Sequence, residues 1–140
     1  MPLERFCRKS LVTVGRMDTV SHAARLMREK HVGAVIVTDA NARPLGILTD
    51  RDITCRVVAE AMDPISVRVD NVMTPNPVLI RNDESIDSAV VKMRKGGVRR
   101  LPVVDPEGKL VGVTTIDDLN VLLAAELAET AKVVRADRGP

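Results

Sequence analysis

Aromatic residues are almost missing from this chain of 140 residues: Phe6 stands alone, with no Trp and no Tyr. Modules that hold single-stranded nucleic acid stack bases on aromatic side chains. Their scarcity, with a formal net charge of only +2 and the two signs interspersed, argues against nucleic acid as the partner. Cysteine is scarce too. Cys7 and Cys55 follow no metal or redox spacing and read as free thiols of a reducing, cytoplasmic compartment. Cys55 falls on an expected helix and is expected to be packed rather than reactive. No apolar run approaches a membrane span, and Met1-Pro2-Leu3-Glu4-Arg5 leads into no apolar stretch of a signal peptide. His22 and His31 have no partner at metal or catalytic spacing and read as structural or surface residues. No serine or cysteine nucleophile has a recognisable base, so no enzyme and no metal site is expected.

What is there is an ordinary globular composition, 45% hydrophobic and 29% charged, and a repeat. Gly46-Ile47-Leu48-Thr49-Asp50-Arg51-Asp52 returns as Gly112-Val113-Thr114-Thr115-Ile116-Asp117-Asp118, an offset of 66 residues (from 46 to 112). The offset holds without a gap at Val12/Val78, Ala23/Ala89, Met27/Met93, Val37/Val103 and Asp39/Asp105. A single repeat of this length would bury too little surface to be secure, so the two copies are expected to share a core.

Each copy reads as strand, helix, strand, strand, helix. Short strands are expected at Val12-Thr13-Val14 and Val78-Leu79-Ile80. The following helices carry Val20, Ala23, Ala24 and Met27, and Ile86, Ala89, Val90 and Met93, spaced i, i+3, i+4, i+7 along one face. Asp18 and Asp83 are expected as N-caps, and Gly96-Gly97 as the stop of the second helix. Ala34 to Val37 and Leu101 to Val104 are unbroken apolar runs, the pattern of strands covered on both faces. Asp39 to Pro44 and Asp105 to Gly108 read as turns, and Leu45 to Leu48 and Leu110 to Val113 close two hairpins. The expected division is 6–60 for the first repeat, 61–71 for a linker, 72–130 for the second repeat and 131–140 for a tail that frays from Val133.

Both hairpins run into Thr-x-x-Asp. Thr49 can accept a hydrogen bond from the amide of Asp52, and Asp52 can reach back, which makes a capping box with Asp in place of Glu. Thr115 and Asp118 repeat it. Asp50/Asp52 and Asp117/Asp118 do not face one another on a helix and suggest no metal. Free amides and a hydroxyl at a helix N-terminus suit a phosphate.

The paired Gly-h-x-Thr-x-x-Asp signatures, the lead-in Asn71-Val72-Met73-Thr74-Pro75 and the strand Arg100-Leu101-Pro102-Val103-Val104-Asp105 together resemble a tandem of cystathionine-β-synthase (CBS) domains, a Bateman module, from about Phe6 to Leu127. The resemblance implies an α/β fold of two βαββα repeats related by a pseudo-twofold axis. It implies two clefts between them for adenosine ligands (AMP, ADP, ATP, NAD or S-adenosylmethionine), bound as effectors and not as permanent cofactors. The motif Asp would hold the ribose hydroxyls, as the acidic residue of dinucleotide folds does, and the motif Thr would lie near the phosphate. Thr13, Val35 and Ile36 in one copy, and Leu79, Leu101 and Val103 in the other, are expected to form the slot for the base.

The copies differ where charge matters. Arg99-Arg100 stand where the first copy has Gly33-Ala34, and Asp117 stands where it has Arg51. In regulatory subunits of AMP-activated kinase the arginine matching Arg100 crosses the pseudo-twofold to a phosphate. The resemblance thus assigns Arg100, with Arg51, Thr49 and Asp52, to a first cleft. Thr115, Asp117 and Asp118 fall to a second cleft that meets Ala34 and is less welcoming to phosphate. The expected function is a stand-alone sensor that acts on a separate effector protein. The alternative is a structural dimerisation module with empty clefts. A homodimer is expected because the second helices of the repeats carry Val57, Val58, Leu122 and Leu123, more apolar surface than a small module leaves exposed.

Overall fold

The computed structural model describes Leu3, Cys7 and residues 11–137. Phe6, the expected start of the first repeat, lies outside the described residues. The first repeat runs β1 (Thr13–Gly15), α1 (Val20–Lys30), β2 (Ala34–Thr38), β3 (Pro44–Thr49) and α2 (Asp50–Ile53), which continues into a π-helical turn at Thr54–Val58. A 3-10 turn at Val69–Asn71 and β4 (Thr74–Pro75) follow. The second repeat runs β5 (Ile80–Arg81), α3 (Ile86–Gly96), β6 (Arg100–Val104), β7 (Leu110–Thr115) and α4 (Ile116–Asp137). Each repeat builds its own sheet, ordered β1-β2-β3-β4 and β5-β6-β7. The first pair in each is parallel and the hairpin pair antiparallel. The chain is α/β, two βαββα repeats in one module.

The apolar runs are strands covered on both faces: Val35, Ile36 and Val37 are all buried, as are Leu101, Val103 and Val104. Alternation sends Val35 and Val37 toward α1, where they meet Val14, Val20, Ala23, Met27, Leu48 and Val57. Leu101 and Val103 do the same in the second repeat, against Ile80, Ile86, Ala89, Met93 and Leu119. The helical faces read from the 3.6-residue period are thus the ones that build the two cores.

Each core takes a residue from the segment leading into the other repeat. Val69, after the first repeat, is fully buried in the first core, and Leu3 is fully buried in the second. The two are 66 positions apart, and their hydrogen bonds match. Val69 N donates to Asp18 O at 2.8 Å and Leu3 N to Glu84 O at 3.0 Å. Met73 N and Cys7 N each bond back to the carbonyl four residues earlier, Val69 O and Leu3 O. The segment expected as a plain linker is therefore part of the first core, and β4 adds a strand to the first sheet beside Gly46 and Ile47.

Several local expectations are corrected. The N-caps are Thr19 and Ser85, whose hydroxyls accept from His22 N and Ser88 N. Asp18 sits one residue too early and instead accepts from Gly15 N at 2.8 Å, closing the β1–α1 turn. Asp83 lies two residues ahead of the cap and pairs with Arg81 at 2.6 Å on the surface; Glu84 takes the turn-closing role there, accepting from Arg81 N at 2.8 Å. Gly97 does end α3, at φ 63, but the first helix ends on His31 at φ 55. The expected strand at Val78 to Ile80 begins only at Ile80 because of Pro102. In the first repeat Ile36 N donates to Val12 O at 3.1 Å; its counterpart Pro102 has no N–H to give Val78. Val57 is fully buried, not exposed, while Cys55 is exposed, not packed. The π-helical turn carries both, with Val57 turned into the core. Residues 133–137 do not fray but continue α4, because the run from Ala124 to Asp137 holds no Gly or Pro to stop a helix.

Candidate functional site: a cavity between the repeats

The hairpin tips of the two repeats meet. Leu110 N donates to Ala42 O at 2.9 Å. The symmetry mate of this bond would need an N–H on residue 44, which is Pro44, so only one of the pair forms. Further along the same face a cavity of about 250 Å³ opens between the sheets. Val12, His31, Val32, Gly33, Ala34 and Ile36 line it from the first repeat, and Arg100, Val113, Thr115 and Asp117 from the second.

Local rules put these side chains there. Ile36 lies between Val35 and Val37 on β2, so its side chain points away from the first core and toward the second repeat. His31 turns the chain out of α1 with a left-handed backbone, its N–H bonded to Met27 O. Gly33 O then accepts from Asp50 N at 2.9 Å, which ties β2 to the start of α2. Arg99 O accepts from Ile116 N at 2.8 Å and ties β6 to α4 in the same way. Arg100 faces Thr115 across the β6–β7 ladder.

Both motifs start helices. Thr49 Oγ1 accepts from Asp52 N at 3.1 Å, and Asp52 Oδ2 accepts from Thr49 N at 2.9 Å, the reciprocal box read from the sequence. Thr115 Oγ1 accepts from Asp118 N at 3.1 Å. The surroundings then diverge. Asp52 Oδ1 lies 3.5 Å from Arg56, whose other nitrogen donates to Val72 O at 2.8 Å and Thr74 Oγ1 at 3.1 Å. Asp52 is therefore wired to the segment joining the repeats. Asp117, at the cavity, pairs with Arg99 at 3.2 Å with both side chains well exposed. Two carboxylates away from the cavity are held below their ordinary values. Asp39 is lowered mainly by the Arg43 amide, and Glu84 mainly by the Arg81 amide.

Of the residues expected at the clefts, the cavity brings together Ile36, Arg100, Thr115 and Asp117, mixing the two sets. Val35, Leu101 and Val103 cannot line a slot: each is fully buried in a helix-side core, because the strand pleat turns it away from the other repeat. Thr13 and Arg51 are exposed, Leu79, Thr49, Asp52 and Asp118 half-buried, and none of these lines the cavity. His31, Val12, Val32, Gly33 and Val113 were missed as lining residues. Strand alternation could have found Val12 and Val113. His31 carried no signal, since its place follows from the left-handed turn after α1.

The model of one family, the CBS domain, matches residues 3–59 and 69–125. The chain belongs to the CBS domain family. An uncharacterized protein, MK0525, of Methanopyrus kandleri is 33% identical over 112 residues, covering 80% of this chain and 57% of that protein. The CBS domain-containing protein CBSCBSPB2 of Arabidopsis thaliana is 39% identical over 105 residues, 75% of this chain and 19% of that protein. The chain thus spans only part of these relatives. Among solved structures, the CBS domain protein PAE2072 of Pyrobaculum aerophilum, complexed with AMP, superimposes with a TM-score of 0.79 at 27% identity, covering 92% of this chain and 99% of that one. No helix among the described residues of this CBS pair is long and apolar enough to cross a membrane.

Proposed function

We propose that this CBS pair is a regulatory module that binds an adenosine-containing effector between its repeats and passes the change to another protein. The observation that carries the reading is the cavity. An apolar wall from one repeat (Val12, Ile36) faces a helix-capping hydroxyl (Thr115) and a guanidinium (Arg100) from the other. Ligand sites are mostly apolar, with a few convergent polar groups, and a nucleoside needs such a slot at one end and donors at the other. The AMP held by the Pyrobaculum relative supports the same reading. In it Asp118 and, at the first motif, Asp52 bind ribose hydroxyls, Thr115 and Thr49 lie near phosphate, and Arg51 attends the first motif. The effector is AMP, ADP or ATP, or the related NAD or S-adenosylmethionine, and catalysis is not part of the role. The compartment is the cytoplasm, in keeping with an exposed Cys55 thiol.

A dye-reported melt with each of these ligands tests the proposal. A true effector at about a hundred times its Kd adds about 2.7 kcal/mol to the stability of the fold. Asp118→Ala should weaken binding about tenfold or more, since the ribose hydroxyls lose their acceptor. A melt unmoved by every one of the five ligands would sink the reading.

A second reading, assembly without a ligand, draws on one observation. Val58, Val121, Leu123 and Leu127 are all exposed, on the second helices of the two repeats. We infer a homodimer through these helices. It is compatible with the sensor role and would be its entire function if the clefts stay empty.

A further inference from the structure

We propose that Asp117 limits the charge of the ligand that the inter-repeat cavity accepts, selecting adenosine ligands with at most one phosphate; this rests on the adenosine-binding reading above. Two observations point the same way. The ionic side chains lining the cavity are Arg100 and Asp117, with His31 the remaining titratable one. One permanent cation therefore faces one carboxylate, and the lining carries no surplus of positive charge. Next, Arg99, the neighbouring cation, is tied to Asp117 at 3.2 Å. Asp117 thus acts twice: its carboxylate repels added phosphates and its ion pair occupies the guanidinium that would meet them.

The first repeat gives an internal comparison. The residue 66 positions before Asp117 is Arg51. The same place in the repeat thus carries opposite charge in the two copies, on the same Thr-x-x-Asp frame. The difference is not needed for folding. Asp117 and Arg99 are exposed, with side-chain accessibilities of 79% and 75%, and exposed ion pairs contribute little to stability.

The test is calorimetric titration of the full chain with adenosine, AMP and ATP, in the wild type, Asp117→Asn and Asp117→Arg. Val113→Phe, which narrows this cavity from its wall, identifies the isotherm that belongs to it. The wild-type cavity should bind AMP at least tenfold more tightly than ATP. Asp117→Arg should erase or reverse that preference, Asp117→Asn should narrow it, and adenosine should change less than twofold in either. Adding Arg99→Ala to Asp117→Asn should cancel part of the gain for ATP, because the released guanidinium is then gone. An AMP-to-ATP ratio that is the same in wild type and Asp117→Arg overturns the inference while leaving the adenosine site standing. A wild type that already favours ATP also overturns it. Titrations without heat for all three ligands, in a chain whose melt they leave unmoved, would instead overturn the adenosine reading itself, and this inference with it.

Discussion

Thr114 is the buried side chain whose chemistry least suits its place. It is fully buried on β7, opposite Leu101, and among the described residues its Oγ1 is the buried side-chain polar atom with no hydrogen-bond partner. The first repeat has Leu48 at the matching position, in the core. A buried hydroxyl without a partner costs about 1–3 kcal/mol. Thr114→Val, which keeps the shape and removes the hydroxyl, should raise stability by about 1 kcal/mol. Urea unfolding checks it: the midpoint should rise and the slope stay fixed. Glu84 makes the opposite case. Its carboxylate accepts from Arg81 N at 2.8 Å and Ser88 Oγ at 2.9 Å and lies 3.4 Å from Lys92. The Arg81 amide is the main cause that holds it below the ordinary glutamate value of 4.5. The folded state therefore favours the ionised form. That contribution is present above the unfolded value and is lost as pH falls through the folded one. Glu84→Gln should be less stable than wild type near neutrality, and the gap in melting temperature should close as the pH drops below 4.5. At this scale the sequence was legible where a contact is local. The Thr49–Asp52 box spans four residues and forms as read. It was not legible where a face had to be chosen. In an unbroken run such as Ala34 to Val37 every residue is apolar, so the pattern does not say which side chains look inward, and Val35 was assigned to the wrong side of its strand.

Among the elements, β4 is the least obvious and the most constrained. It crosses β3 at Gly46, where an added Cβ would lie 2.5 Å from Met73 Sδ and 2.9 Å from Thr74 O. The Met73 side chain can swing away, but the Thr74 carbonyl belongs to the backbone of β4. Gly46→Ala should therefore cost about 1–3 kcal/mol and loosen the β3–β4 pairing. Hydrogen exchange at Asn76, whose amide donates to Leu45 O at 3.1 Å, should quicken more than exchange at the amides of α3. Helices were easier to foresee than such short strands. Eleven residues of α1 and eleven of α3 repeat the 3.6-residue period often enough to stand out. The two residues of β4 have no period at all. Pro102 shows how a single missing donor trims a partner strand some twenty residues away, which no local window detects.

For the molecule as a whole, the two βαββα copies and their motif positions were readable because the repeat itself carries the information. The traffic between copies was not, because it depends on packing across the pseudo-twofold. That is why Arg100 and Ile36, assigned to the first cleft, line a cavity with Thr115 and Asp117. Assembly is the prediction at this scale. Exposed Val121, Leu123 and Leu127 are a large apolar share for a few turns of α4. Sedimentation at tens of micromolar should give twice the 15.2 kDa mass of the chain. Leu123→Asp with Leu127→Asp should return it to the monomer without lowering the melting temperature of the monomer itself. A wild type that sediments as a monomer would rule out this interface.

The crossed placement of Leu3 and Val69 has a consequence for how the chain is made. A ribosome delivers the protein from one end, and the first repeat cannot close its core until Val69 and Val72 have left the exit tunnel, well after α2 is finished. Leu3, by contrast, emerges ahead of the first repeat and must wait for Leu119 and the rest of the second core. Neither half is complete when its own β-hairpin is made. The order of synthesis thus delays closure of the first core until Val72 is free and leaves Leu3 waiting until Leu119 follows, and a chain halted between residues 60 and 69 would hold one unfinished core and a Leu3 with no core to enter.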